Sequence, residues 1–170
     1  MRSIFAPAFI VEPVTLHESS KRVFEGTKFI GDGFLLNEDS ALDLIDQAPS
    51  NHDIVQPFID SDSVTDWPDQ RPSRWIINFG DRSLEEAATY QAPFQIVLNN
   101  VKPIRDEDNR EQYRRLWWQF AERRRALTKK LTELPAVFVA VATTKFLSFS
   151  RYATEERVFG NGGACSSDRP

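Results

Sequence analysis

Residues 136 to 144 read AVFVAVATT, a near-continuous apolar run rich in β-branched and aromatic side chains. A strand with one wet face alternates apolar and polar residues, so an unbroken run belongs to a strand covered on both faces. Such a strand needs paired neighbours and a covering layer. KFLSFSRY directly after it reads as a second strand, and RWIINFG, residues 74 to 80, as a third. Further upstream, VFEGTKFIGDGFLL, residues 23 to 36, reads as two short strands around an Asp32-Gly33 turn.

Helical signals lie between these strands. Ser40 is an N-cap candidate for a short helix in which Leu42 and Ile45 share a face. Ser83 with Glu86 three residues later has the spacing of a capping box. Pro93 fits the first turn of a helix whose Phe94, Val97, Leu98 and Val101 form one apolar face until Pro103 kinks or ends it. Residues 49 to 72, rich in Asp, Ser and Pro, read as an irregular loop anchored by Val55, Phe58 and Ile59. From Glu107 to Leu134 there is no glycine or proline, which predicts one long helix, or two with a break near Arg123. The order of strands, helices and then strands gives an α+β class: a mixed or antiparallel sheet with a long basic helix and shorter helices packed against it. Residues 1–22 are a lead-in, 23–159 the domain and 160–170 a flexible tail.

A chain of 170 residues, 41% of them hydrophobic, suits a single domain with its own core. No window approaches the run of about 18 apolar residues of a membrane span, and no secretory leader is visible. With one cysteine, Cys165, no internal disulfide can form, which fits a reducing, cytoplasmic setting. The net charge of -4 is unevenly spread. Residues 1 to 99 carry 7 Lys and Arg against 16 Asp and Glu, whereas residues 100 to 170 carry 14 against 9. A cationic second half points towards phosphate-bearing partners.

Catalytic patterns are missing from the sequence. Phe29-Ile30-Gly31-Asp32-Gly33 has the FxGxG spacing of an S-adenosylmethionine loop, but its flanks read as strand and a hairpin turn fits better. There is no Asn-Pro-Pro-aromatic tetrapeptide to grip an extruded base, no GxSxG turn and no Glu-x-Lys nuclease spacing. Asp60, Asp62, Asp66 and Asp69 lack the EF-hand pattern and read as a solvated acidic loop. His17 and His52 have no neighbours with which to complete a metal set.

The chemistry therefore concentrates in YRRLWWQFAERRRALTKKL, residues 113 to 131. On a continuous helix, Tyr113, Leu116, Phe120, Leu127, Leu131 and Leu134 form a core-facing stripe. Arg110, Arg114, Arg115, Arg125 and Lys129 share the other side, with Trp118 among them and Trp117 at the border. Either Trp118 covers a loop beside a solvated charged face, or the surface meets phosphates and an exposed ring stacks on a partner. Arg124 falls in the apolar stripe and requires a buried acceptor or a helix break.

FIGDGFLL, DIVQPFIDSDSV, RPSRWIINFGDRSLEEA, VKPIRDEDNREQYRRLWWQFAERRRAL and VFVAVATTKFLSFS, in that order, resemble the target-recognition domain of large bacterial adenine-N6 DNA methyltransferases. These include the MmeI-like fused restriction-modification enzymes. The resemblance covers most of residues 20 to 159, and its further strands find no counterpart after that. It implies a non-catalytic module that reads double-stranded DNA, with S-adenosylmethionine bound by a separate catalytic domain or subunit and no cofactor in this chain. Trp75, Trp117 and Trp118 belong to the shared blocks, and Lys145 stands where relatives also carry lysine. Lys145 and Arg151 flank a strand edge and suit phosphate contacts. The candidate DNA-binding set is thus Arg114, Arg115, Trp118, Arg125, Lys129, Lys145 and Arg151. The competing expectations are a protein-interaction domain that docks on a catalytic subunit and an inactive fragment.

Overall fold

The computed structural model describes residues 22–67, 69, 71–72, 74–145, 149–160 and 163–166, the last four by their backbone alone. Two four-stranded sheets organise the chain. In the first, β1 (Val23–Glu25), β8 (Gly163–Ser166), β5 (Ala136–Val141) and β6 (Phe149–Ala153) lie side by side, all antiparallel. The second runs β2 (Leu35–Leu36), β4 (Arg74–Ile77), β3 (Val55–Ile59) and β7 (Val158–Phe159), antiparallel except for the parallel β3–β7 pair. With the helices between them, the class is α+β.

The apolar run is β5, a central strand of its sheet, and Val137, Val139 and Val141 pack with Tyr152, Leu127, Leu134 and Phe159. RWIINFG contains β4, whose Ile76 and Ile77 are fully buried. The Ser83–Glu86 capping box forms in full and starts α3 (Leu84–Ala88). α4 (Gln91–Asn100) carries Pro93 in its first turn and buries Val97. Val101 joins it to α5 (Lys102–Asp106), where Pro103 sits in the first turn and costs no hydrogen bond.

Five expectations are corrected. β1 and β2 belong to different sheets, so no hairpin joins them. Asp32–Phe34 instead forms a 3-10 turn pressed on the end of α4: a Cβ on Gly33 would lie 2.5 Å from that of Asn100, and Phe34 is buried. The supposed loop from 49 to 72 supplies β3, an interior strand, because Val55, Phe58 and Ile59 are core residues. Pro57 is tolerated there since the ladder with β7 begins one residue later, at Phe58. α1 (Glu38–Gln47) is capped by Asn37, whose side chain accepts from Ser40 N, and it buries Ala41 and Leu44 while leaving Leu42 exposed. Of the expected tail, Gly160 bridges to Thr27 and 163–166 form β8, which pairs with both β1 and β5; 161–162 and 167–170 lie outside the described residues, as do 1–21 of the lead-in.

The fifth correction matters most for function. Residues 107 to 134 do not form one long helix but, as the alternative with a break near Arg123 expected, two, α6 (Glu111–Arg115) and α7 (Arg125–Glu133), both short and separated by a wider break than expected, 116 to 124. Leu116, Trp117, Trp118 and Phe120 are too closely spaced to share a single helical stripe, and burying them all requires the chain to leave the helix. Trp117 and Trp118 are each 7% exposed and meet edge to face at 6.0 Å; Trp117 also packs on Phe94 and Phe120 on Phe34. The break ends at Arg124, which adopts a left-handed conformation with φ 47°, as its place in the apolar stripe required. Below this segment Arg105 is fully buried, donating through Nε to Ile30 O (3.2 Å) and through Nη2 to Gln119 O (3.4 Å) beside the Tyr113 ring. Burial disfavours its charged form, against the pull of Asp108.

Arg105→Ala would strand both carbonyls and open a cavity, so chemical denaturation should show a loss of about 2–5 kcal/mol. Trp118→Phe keeps a ring but deletes the indole donor to Arg82 O, and should cost about 1–3 kcal/mol by the same measurement. A Trp118→Phe variant as stable as the parent would contradict a packing role for this residue.

Candidate nucleic-acid interface

The non-helical segment between α6 and α7 delivers charge to one place. Trp118 Nε1 and Gln119 Nε2 both donate to the carbonyl of Arg82, at 3.0 and 2.9 Å, and so fasten the segment to the turn after β4. In that turn Gly80 has φ 59° and its N–H is accepted by Asn78 Oδ1 at 3.1 Å, while Arg82 N donates to Phe79 O. Asp81 is thereby held at the mouth of a cleft of about 420 Å³, lined among others by Asn78, Arg123, Arg125, Thr128 and Lys129.

Arg123 and Arg125 converge on a single atom. Arg123 Nη1 donates to Asp81 Oδ1 and also to Gln119 Oε1 at 2.9 Å. Arg125 donates to the same Oδ1 through Nε (3.3 Å) and Nη2 (3.1 Å). The left-handed Arg124 separates these neighbours from itself: its guanidinium pairs with Glu25 and with Glu122 (2.7 Å). Lys129 lies one helical turn beyond Arg125 and has no ion pair among the described residues. Three cations thus face one carboxylate at this cleft. A second cleft, of about 540 Å³, shares Thr27, Asn78, Thr128 and Thr132 with it but has Glu155 and Glu156 in its far wall.

Of the expected contact residues, only Arg125 and Lys129 come together. Arg114 and Arg115 are on α6, where Arg114 donates to Asp108 O, and neither lines the cleft. Trp118 is a core residue and presents no ring for stacking. Lys145 follows β5 in an exposed turn, and Arg151 is exposed on β6 opposite Phe138. Arg123 and Asp81 were missed, because the helical wheel lost its phase once the helix broke. Asp60 proves to be no solvated loop residue: it caps α2 (Ser61–Thr65) and pairs with Arg74 at 2.7 Å.

No group of three His, Cys, Asp or Glu side chains among the described residues is placed to hold a metal ion. In residues 29–33 the expected hairpin turn is replaced by the 3-10 turn, which contains Gly33 and closes it against Asn100. No helix among the described residues is long and apolar enough to cross a membrane.

No family model matches the sequence, and no curated protein matches it. Among solved structures, the fold is similar to part of MmeI, a Type IIL restriction-modification enzyme solved in complex with DNA, with a TM-score of 0.66 at 12% identity. The match covers 88% of this chain and 19% of that one, so the chain spans about a fifth of the length of MmeI and shares the fold of that portion.

Proposed function

We propose that this chain is a DNA-binding, target-recognition module of a restriction-modification or adenine-N6 methyltransferase system, without a catalytic step of its own. The observation that carries this reading is the cleft where Arg123, Arg125 and Lys129 face a single carboxylate, on a fold shared with part of an enzyme solved on DNA. A guanidinium matches two phosphate oxygens with a fixed fork, and α7 and the Arg82-anchored segment hold two of these forks together. A 420 Å³ cleft cannot admit a duplex, so its rim follows one backbone strand and sets orientation, while neighbouring loops meet the base edges.

Modification chemistry and S-adenosylmethionine belong, on this reading, to a catalytic domain or subunit that works with the module.

Fluorescence anisotropy of labelled duplex DNA tests the proposal. Log affinity should fall linearly with log salt, with a slope of about 0.9 per phosphate neutralised. Arg125→Glu with Lys129→Glu should lower affinity about tenfold or more and flatten the slope by about 2, whereas Arg114→Glu with Arg115→Glu should do much less. A folded parent protein that shows no binding at low salt would refute the reading.

A further inference from the structure

We infer that Asp81 is an internal stand-in for a DNA phosphate, occupying the anion position of a phosphodiester subsite formed by Arg123, Arg125 and Lys129. The inference rests on the DNA-binding reading and deepens it by naming the residue that regulates the subsite.

Convergence is the first observation. Three N–H donors from two guanidiniums meet at Asp81 Oδ1, the arrangement in which such groups hold one phosphate oxygen. Exposure is the second. The Arg125 side chain is 68% exposed and that of Asp81 57%, so solvent reaches the pair and an exposed pair of this kind holds only weakly. An incoming phosphate can take over the Arg125 donors at little cost, while Arg123, 22% exposed and also bonded to Gln119 Oε1, stays in place to meet it. The third observation is that the backbone carrying Asp81 is held by its own turn, in which Gly80 N–H donates to Asn78 Oδ1 and Arg82 N–H to Phe79 O, while only its carboxylate is engaged by the arginines. It therefore remains beside the subsite after displacement, as a competitor of fixed effective concentration.

Two consequences follow from this geometry. While the site is empty, Asp81 keeps Arg123 and Arg125 extended and close together, which spares part of the side-chain entropy that ordering them on DNA would cost. At the same time its charge opposes any phosphate that binds weakly. Loose, sequence-independent encounters then suffer most, because backbone contacts are nearly all they have.

Asp81→Asn removes the charge and keeps the shape. Duplex DNA of arbitrary sequence should bind about twofold to fivefold more tightly, the range spanned by an exposed ion pair. Its salt dependence should steepen by up to about one counterion. Asp81→Ser, with thermal denaturation of each variant, guards against a folding defect. Weaker or unchanged binding by folded variants would overturn the inference while leaving salt-dependent binding by the parent, and thus the DNA reading, intact. An arm without DNA separates the two further: titrating inorganic phosphate into the ¹⁵N-labelled protein should move the Arg125 Nε–Hε resonance, and at lower phosphate concentration in Asp81→Asn. An unmoved resonance would overturn the inference whatever DNA does, and no DNA binding by the folded parent would refute the broader reading and with it the role of Asp81 towards DNA, even where inorganic phosphate still binds.

Discussion

One carbonyl oxygen, that of Arg82, accepts both the Trp118 indole N–H and the Gln119 amide. Around this junction the chain must stop being helical, since the two donors belong to adjacent residues and lie on different sides of any helix. Once the segment is fastened there, Trp117 reaches Phe94, Phe120 reaches Phe34 and Phe29, and the Gln119 carbonyl meets Arg105. The same junction fixes how far Arg123 and Arg125 stand from Asp81. Core packing and surface charge are thus two results of a single anchoring event.

Local signals with short-range causes were the readable part of the sequence. The Ser83–Glu86 capping box, the strand expected within residues 74 to 80 and formed over 74 to 77, the kink at Pro103 and the interior strand β5 each depend on a few neighbouring residues, and each is found. What failed depended on distant partners. A propensity argument over residues 107 to 134 could not register that Arg82, 36 positions before Trp118, competes for the chain. β3 looked irregular because Pro57 and the flanking aspartates suggest a loop, yet it pairs between β4 and β7 and its apolar residues are buried. Among the candidate contacts, Arg125 and Lys129 were legible because they share α7. Arg123 and Asp81 were not, because only the fold brings them together.

Ion pairs in the molecule are of two kinds. Some are local, as those of Lys102 with Asp106 and Lys130 with Glu133 are. Others cross between elements: Arg123 and Arg125 reach the β4 turn, and Arg124 reaches β1. The Arg124 pair reinforces the backbone bridge between Lys28 and Glu122, whereas the Arg123 and Arg125 pairs tie the start of α7 to the β4 turn through side chains. They also leave the cation in excess at the cleft, where a net acidic protein would otherwise repel a polyanion.

The placement of β8 governs the order in which the first sheet can assemble. β5, β6 and β8 are near in sequence and can pair early, but among the described residues β1 has no neighbour in that sheet other than β8, more than a hundred positions away. Closing so long a loop is slow. β1 is therefore a late addition to a preformed β8–β5–β6 set. Until it arrives, β8 presents an open edge to any other extended chain in its surroundings.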